Sequence, residues 1–150
     1  MKSSDKLAIH ELLSRAAYSF DERKLDMLER CFTSEATMLV DITGIGEVGP
    51  FEGREAIMKL MSDTLASQTD VRRHVISNFF FEAEGKKSAK VVSSLVVSSV
   101  ENGEINVVIS GIYRDDVVND DGDWRISHRH LDLDIPFLPG RSGHERFAHP

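Results

Sequence analysis

Apolar side chains recur every three or four residues in three segments of the first half of the chain. The first segment covers residues 4–20, and its apolar positions are Ile9, Leu12, Leu13, Ala16, Ala17 and Phe20. This spacing predicts an amphipathic helix, because side chains three and four positions apart share one helix face. The same spacing predicts a short helix over residues 24–32 and a third helix over residues 51–66 that starts near Gly53.

Between the second and third predicted helices the pattern is that of a strand and a turn. Residues 37–42, TMLVDI, are rich in β-branched and apolar side chains, which predicts a strand. Residues 43–50, TGIGEVGP, predict a glycine-rich loop. These glycines do not lead into a helix as a dinucleotide-binding turn would, so no nucleotide site is predicted there.

After residue 68 the apolar period changes from 3.6 to 2. Four segments, residues 71–83, 88–100, 105–118 and 123–134, read as strands, and the turns EGKK, ENGE and NDDGD separate them. This arrangement predicts an antiparallel meander. Helices followed by a run of strands are typical of the α+β class, here a cone-shaped α+β barrel with three N-terminal helices packed on a strongly curved antiparallel sheet.

Length and composition limit the partners that we expect. A chain of 150 residues suits a single domain over residues 1–150, with a core at about residues 5–135 and an irregular tail at residues 136–150. The net charge is −7 and no Lys/Arg cluster is present, so nucleic acid is not an expected partner. The single cysteine, Cys31, and the absence of a long apolar segment predict a cytoplasmic protein that does not bind membranes.

Helices packed into the concave side of a bent sheet leave a pocket for a small molecule. Asp21 follows the first predicted helix, where it could also be the N-cap of the second. His74 lies within the first strand of the meander and, taken alone, is typical of an ordinary partly buried histidine. A carboxylate that orients a histidine makes it a general base near neutral pH, so the pair is a catalytic candidate. The flanking Arg72 and Arg73 are interpreted as structural.

The segment SHRHLDLD, residues 127–134, has two faces. Strand alternation places two histidines and two aspartates on one face and Arg129, Leu131 and Leu133 on the other. Ligands from one strand cannot surround a metal ion, and no HExxH motif or cysteine pair is present, so no metal site is predicted. Arg129 is expected to point into the pocket, with a surface ion pair as the alternative. Tyr18 and Tyr113 either line the pocket or only pack in the core.

Several short motifs occur in the order found in one known family. The segments YSFDERKLDMLERCF, FEGREAI, RRHVISN and GIYRDDVV…DGDWRISHR resemble the SnoaL-like branch of the nuclear-transport-factor-2-like superfamily over roughly residues 5–135. The resemblance implies a cystatin-like α+β cone. Within the superfamily the chain looks most like scytalone dehydratase and hexachlorocyclohexane dehydrochlorinase, which eliminate water or HCl with a His–Asp dyad and need no metal or organic cofactor.

The resemblance also assigns roles to residues. Asp21 and His74 match the dyad, and Arg129 matches a pocket arginine. The dehydrochlorinase's lysine is replaced by Ala16, and a second histidine of scytalone dehydratase is replaced near Ser93, so neither native substrate follows. The implied catalytic residues are Asp21, His74 and Arg129, and the implied substrate-binding residues are Tyr18, Tyr113, Ser93 and Leu131. A homo-oligomer is implied, with a trimer favoured over a dimer.

These features together predict a cofactor-independent, dehydratase-like lyase that removes a proton from a small, largely apolar, cyclic substrate. Three alternatives stay open. The protein could be a non-catalytic small subunit of an aromatic-ring-hydroxylating dioxygenase, because such subunits resemble the same fold. It could be a module that binds a hydrophobic ligand without changing it, or it could be an isomerase or polyketide cyclase.

Overall fold

Three helices and six strands make up the part of the chain that the computed structural model describes, residues 1–136. In chain order they are α1 (Ser3–Asp21), α2 (Leu25–Glu29), β1 (Phe32–Ile42), β2 (Gly46–Glu52), α3 (Arg54–Ser67), β3 (Val71–Glu84), β4 (Ser88–Glu101), β5 (Glu104–Asp120) and β6 (Asp123–Leu133). The predicted irregular tail lies outside the described residues except for Pro136. Within residues 1–136 no helix has the length and apolar character needed to cross a membrane.

The strands form one sheet in the order β2-β1-β6-β5-β4-β3. Strands β3 to β6 pair antiparallel with their neighbours in sequence, as expected for a meander. Strand β1 pairs parallel with β6 and antiparallel with β2, so the first strand lies beside the last. Helix α1 packs on β3 and β6, and α3 packs on β1 and β2. The predicted α+β class, with N-terminal helices on a curved sheet, is confirmed.

The prediction of a loop over residues 43–50 was wrong in its second half. Residues 43–45 form a tight turn in which the Ile45 amide donates to the Ile42 carbonyl, and Gly46 then begins strand β2. Glycine and proline within β2 hid the strand, because both are poor strand formers and are tolerated best at a sheet edge. The second helix also ends earlier than predicted, at Glu29, and Phe32 starts β1 instead of ending the helix.

The core lies between the helices and the inner face of the sheet. Fully buried side chains come from all three helices and from β1, β4, β5 and β6, and the largest of them are Phe32, Ile9, Leu13, Leu28, Ile57, Leu95 and Ile126. The predicted apolar face of α1 therefore points inward. Toward its C-terminal end the same face changes from closely packed core to the wall of a cavity, where Ala17 and Phe20 lie.

A buried ion pair ties the start of β3 to β4. The Arg72 Nε atom donates to both carboxylate oxygens of Asp70, at 3.2 and 3.0 Å, and the Ser99 hydroxyl donates to the same carboxylate. The side chains of Asp70 and Arg72 are 8% and 9% exposed. Burial acts to raise the pKa of Asp70, but the bonds from Arg72 and Ser99 outweigh it and hold that pKa below its usual 3.8.

The Asp70 pair gives the fold a testable dependence on pH. A carboxyl group whose pKa is lowered by folding stabilises the fold above its unfolded pKa, and this contribution is lost as the pH falls through the lowered value. We expect Asp70→Asn to reduce the free energy of unfolding at pH 7 by about 3 kcal/mol, because it breaks the buried ion pair between Asp70 and Arg72. The difference from the wild type should shrink below the usual Asp pKa of 3.8.

Denaturant unfolding at pH 7 and pH 3 measures this difference. Asp63→Asn is the matched control, because Asp63 also pairs with a basic side chain but is 66% exposed. That change should cost less than about 1 kcal/mol at either pH. Equal stability of Asp70→Asn and the wild type at pH 7 would contradict the assigned role of the pair.

Candidate functional site

A cavity of about 220 Å³ lies between α1, α3 and the inner face of the sheet. Most of its wall is apolar and comes from alanine, leucine, isoleucine, valine, methionine and phenylalanine side chains. The polar or aromatic-hydroxyl residues that line it are Thr64, Arg72, His74, Tyr113 and Arg129. Two other cavities, each of about 390 Å³, are lined by none of the predicted site residues.

The structure brings Asp21 and His74 into direct contact. The Asp21 Oδ1 atom lies 2.5 Å from His74 Nδ1, and the His74 backbone N–H donates to Asp21 Oδ2 at 2.8 Å. Their side chains are only 6% and 9% exposed. Both carboxylate oxygens of Asp21 therefore contact His74, and these two contacts fix the position and the orientation of the imidazole.

The position of Asp21 is unusual for a carboxylate. Asp21 is the last residue of α1, where the partial negative charge of the helix end disfavours an acidic side chain. It does not cap the second helix, because Lys24 occupies that position. The His74 N–H groups offset this cost, since two donors face the carboxylate. The Phe20 ring packs at a tilt against the imidazole, with 5.2 Å between ring centroids.

This contact fixes the tautomer of His74. An ionised carboxylate can only accept hydrogen bonds, so Nδ1 carries a proton toward Asp21 and Nε2 keeps its lone pair. His74 also lines the cavity. The geometry is that of a general base whose conjugate acid is stabilised by a buried carboxylate.

Arg129 is buried in the same cavity wall and has a carboxylate partner. Its Nε and Nη2 atoms donate to the two Asp115 oxygens at 2.7 and 2.9 Å, and its guanidinium lies 3.9 Å from the centroid of the Tyr113 ring. Burial acts to lower the pKa of Arg129, but Asp115 outweighs it and raises that pKa above its usual value. Arg129 is thus a permanent cation held inside the protein. The alternative of a surface ion pair is wrong, because Arg129 is 5% exposed.

Tyr113 lies beside this cation and lines the cavity. Burial raises the pKa of its hydroxyl above the usual 10.0, although the charge of Arg129 acts in the opposite direction. The phenol therefore stays protonated at neutral pH and can donate a hydrogen bond. The nearby charge of Asp21 also acts on this hydroxyl, which places Tyr113 within electrostatic range of the Asp21–His74 pair.

The other predicted substrate-binding residues differ in position. Leu131 lines the cavity. Tyr18 does not: it is 51% exposed, because one helical residue turns its side chain about 100° away from that of Ala17. Ser93 is buried opposite Tyr113 in the β4–β5 ladder but is not part of the cavity wall. Tyr18 and Ser93 therefore do not reach a ligand in this cavity.

Sequence analysis missed two charged residues of the site, Asp115 and Arg72. Asp115 follows Tyr113 by two positions on β5, and Arg72 precedes His74 by two positions on β3. Strand alternation places each on the same face as its pocket neighbour. That signal was present in the sequence, but Arg72 was interpreted as structural and Asp115 was not singled out.

A group of possible metal ligands lies on the opposite face of the sheet. The parallel pairing of β1 with β6 puts Asp41 opposite Asp132, and ligand atoms of these two residues and His130 lie within 4.8 Å of one another. Asp41 on β1 thus adds a possible ligand from a second strand, which residues 127–134 alone cannot provide. Arg114 already pairs with Asp132, with its Nε atom 3.2 Å from Oδ2. The absence of a functional metal site stays a prediction.

Comparisons with known proteins agree with the fold. A family model described as the SnoaL-like domain matches residues 1–130. An uncharacterized protein of Mycobacterium tuberculosis is 28% identical over 127 residues, which cover 84% of this chain and 83% of that protein.

Two solved structures share the architecture. A protein of unknown function with a cystatin-like fold from Nostoc punctiforme is 26% identical, with a TM-score of 0.74 over 93% of this chain and 97% of that chain. The β subunit of a proposed aromatic-ring-hydroxylating dioxygenase from Novosphingobium aromaticivorans is 18% identical, with a TM-score of 0.77 over 90% and 92% of the two chains. The resemblance seen in the sequence is confirmed: the chain belongs to the SnoaL-like family and has the cystatin-like fold of nuclear-transport-factor-2-like proteins.

Proposed function

We propose that the protein is a cofactor-independent lyase that acts on a small, largely apolar, cyclic molecule. The observation that carries the proposal is the Asp21–His74 contact at an apolar cavity, with Nδ1 of His74 held by Asp21 and the imidazole in the cavity wall. A buried His–carboxylate pair at a cavity of about 220 Å³ suits proton removal from a bound small molecule.

The proposed reaction is a 1,2-elimination. His74 Nε2 takes a proton from a substrate carbon, and the electron pair of the broken C–H bond forms a C=C bond. The leaving group departs from the adjacent carbon with its bonding electrons. If that group is hydroxide, the imidazolium returns the proton to it and water is released. Asp21 stabilises the imidazolium between these steps.

Arg129 and Tyr113 are suited to the negative charge that develops on the substrate. Both are donors in a largely apolar wall, where fixed donors act more strongly than in bulk water. Asp115 neutralises the guanidinium and fixes its direction. In the proposed reaction these two residues stabilise an oxyanion or the departing group, and Leu131 contributes to the apolar wall.

The alternatives share the fold and differ in what the Asp21–His74 pair does. An isomerase or cyclase would use the same base and return the proton to carbon. A binding module would release its ligand unchanged. The likeness to a dioxygenase β subunit is at 18% identity and concerns the fold alone, and such a subunit would not require the pair. Assembly into a homo-oligomer, with a trimer favoured, stays a prediction.

Removing either member of the pair should abolish proton transfer. We expect His74→Ala and Asp21→Asn each to lower kcat/KM by a factor of about 10² to 10⁴, since one loses the base and the other its orientation. The assay follows elimination and solvent deuterium incorporation for a panel of cyclic β-hydroxy ketones, by NMR and mass spectrometry.

The matched control is His128→Gln, because His128 lies on the opposite face of β6 and contacts Thr37. Circular dichroism and thermal unfolding check that every variant is folded. Wild-type turnover in either His74→Ala or Asp21→Asn would refute the proposed chemistry. A wild-type protein that binds these compounds but exchanges no carbon-bound hydrogen would favour the binding module.

Arg129 allows stability and activity to be separated. We expect Arg129→Met to cost about 3–5 kcal/mol in the free energy of unfolding, because it leaves Asp115 charged and buried without its partner. The double variant Arg129→Met/Asp115→Val removes both charges and should regain most of the stability. Its kcat should stay at least about tenfold below wild type if Arg129 stabilises the transition state. A double variant that recovers both properties would make the pair purely structural.

A further inference from the structure

The two consecutive arginines before His74 have different environments. Strand β3 alternates, so Arg72 and His74 share the inner face while Arg73 lies on the outer face. Arg72 is 8% exposed and lines the cavity, whereas Arg73 is half exposed and pairs with Glu22 at the surface. The structural interpretation therefore describes Arg73 and the Asp70 pair of Arg72, but it does not account for the position of Arg72 in the cavity wall.

The guanidinium of Arg72 is held in a fixed direction. Asp70 accepts from its Nε atom through both carboxylate oxygens, and Ser99 on β4 donates to Asp70 in turn. Such a chain of partners removes most of the rotational freedom of a long side chain before any ligand binds. A donor that is already oriented loses little entropy when it forms a further contact.

The polar groups offered by the cavity are donors or neutral groups. The residues of the described chain that line it include two guanidiniums, an imidazole and two hydroxyls, but no carboxylate. The three aspartates bonded to these groups, Asp21, Asp70 and Asp115, already accept hydrogen bonds from His74, Arg72 and Arg129, respectively. A wall of this kind suits a ligand that combines an apolar body with a negatively charged oxygen group.

The position of Arg72 places that group close to the base. Alternate residues on one strand are about 6.6–6.8 Å apart, so the Arg72 and His74 side chains leave the sheet at neighbouring inner-face positions. A carboxylate bound by Arg72 would therefore hold the attached carbon atoms near His74. This arrangement is suited to removing a proton from a carbon close to the acid group.

We propose that the natural ligand carries a carboxylate and that Arg72 is the residue that binds it and orients the ligand beside His74. The inference rests on the proposed function in taking this cavity as the substrate site. It goes further in naming the charged group of the substrate and the residue that selects it.

The test compares two probes of nearly equal shape, 2-naphthoate and 2-naphthamide, by isothermal titration calorimetry at pH 7. Wild-type protein should bind 2-naphthoate at least about tenfold more tightly than 2-naphthamide, as expected for a charge-assisted contact. Arg72→Met should remove that preference by weakening 2-naphthoate binding, with little change for 2-naphthamide. Arg73→Met, the matched control with the same change in net charge, should leave both affinities within about twofold of wild type, because an exposed charge contributes little.

A second variant protects the test against misfolding. Arg72→Met leaves Asp70 without its main partner, so Arg72→Met/Asp70→Asn is measured beside it and should show the same loss of preference. The proposal would be overturned by a wild type that does not prefer 2-naphthoate or does not bind it. It would equally be overturned if the Arg72 variants kept the preference, or if Arg73→Met lost it to the same extent.

The outcome is independent of catalysis. His74→Ala should keep the preference for 2-naphthoate, because the probe is held by Arg72 and needs no proton transfer. If His74→Ala loses turnover but the Arg72 variants bind 2-naphthoate like the wild type, this inference is overturned and the proposed reaction is left intact. The converse result, Arg72-dependent binding without any turnover, would overturn the lyase and retain an acid-binding cavity.

Discussion

The contact between Asp21 and His74 joins the end of the first helix to the start of the meander. It is made by one side chain with both a backbone N–H and a ring N–H of the same residue, so it positions the strand as well as the imidazole. This attachment holds the C-terminal end of α1 against β3 beside the cavity. The same carboxylate therefore has a structural and a chemical role, and substituting it affects both.

The interior resolves a general conflict between apolar packing and buried charge. Arg129 pairs with Asp115, Arg72 pairs with Asp70, and His74 contacts Asp21. Each basic group thus has its own acidic partner, and each partner is close in sequence or lies on a neighbouring element. Buried charges are tolerated when they are paired and hydrogen-bonded. Pairing also orients each basic group. The apolar cavity is therefore lined by hydrogen-bond donors of fixed direction, and each of these three basic groups has an acidic partner.

The elements with local patterns could be predicted, and those that depend on distant pairing could not. The helices and the four strands of the meander followed from periods of 3.6 and 2, which local side-chain geometry sets. Strand β2 was missed because Gly46, Gly49 and Pro50 suppress the strand signal. The β1–β6 pairing has no local signature. Strand alternation correctly placed Arg129 and Leu131 in the cavity wall. Tyr18 was misplaced because only its closeness to Asp21 in sequence was considered, and not the direction in which its side chain leaves the helix.

The parallel pairing of the first strand with the last has a consequence for how the chain folds. Thr37 on β1 and His128 on β6 meet across 91 positions, so this part of the sheet forms only after a long loop closes. The hairpins from β3 to β6 involve short loops and can form first. During synthesis, the edge of β1 that later pairs with β6 stays open until residue 133 has left the ribosome. Until then, this exposed edge can pair with a strand of another chain.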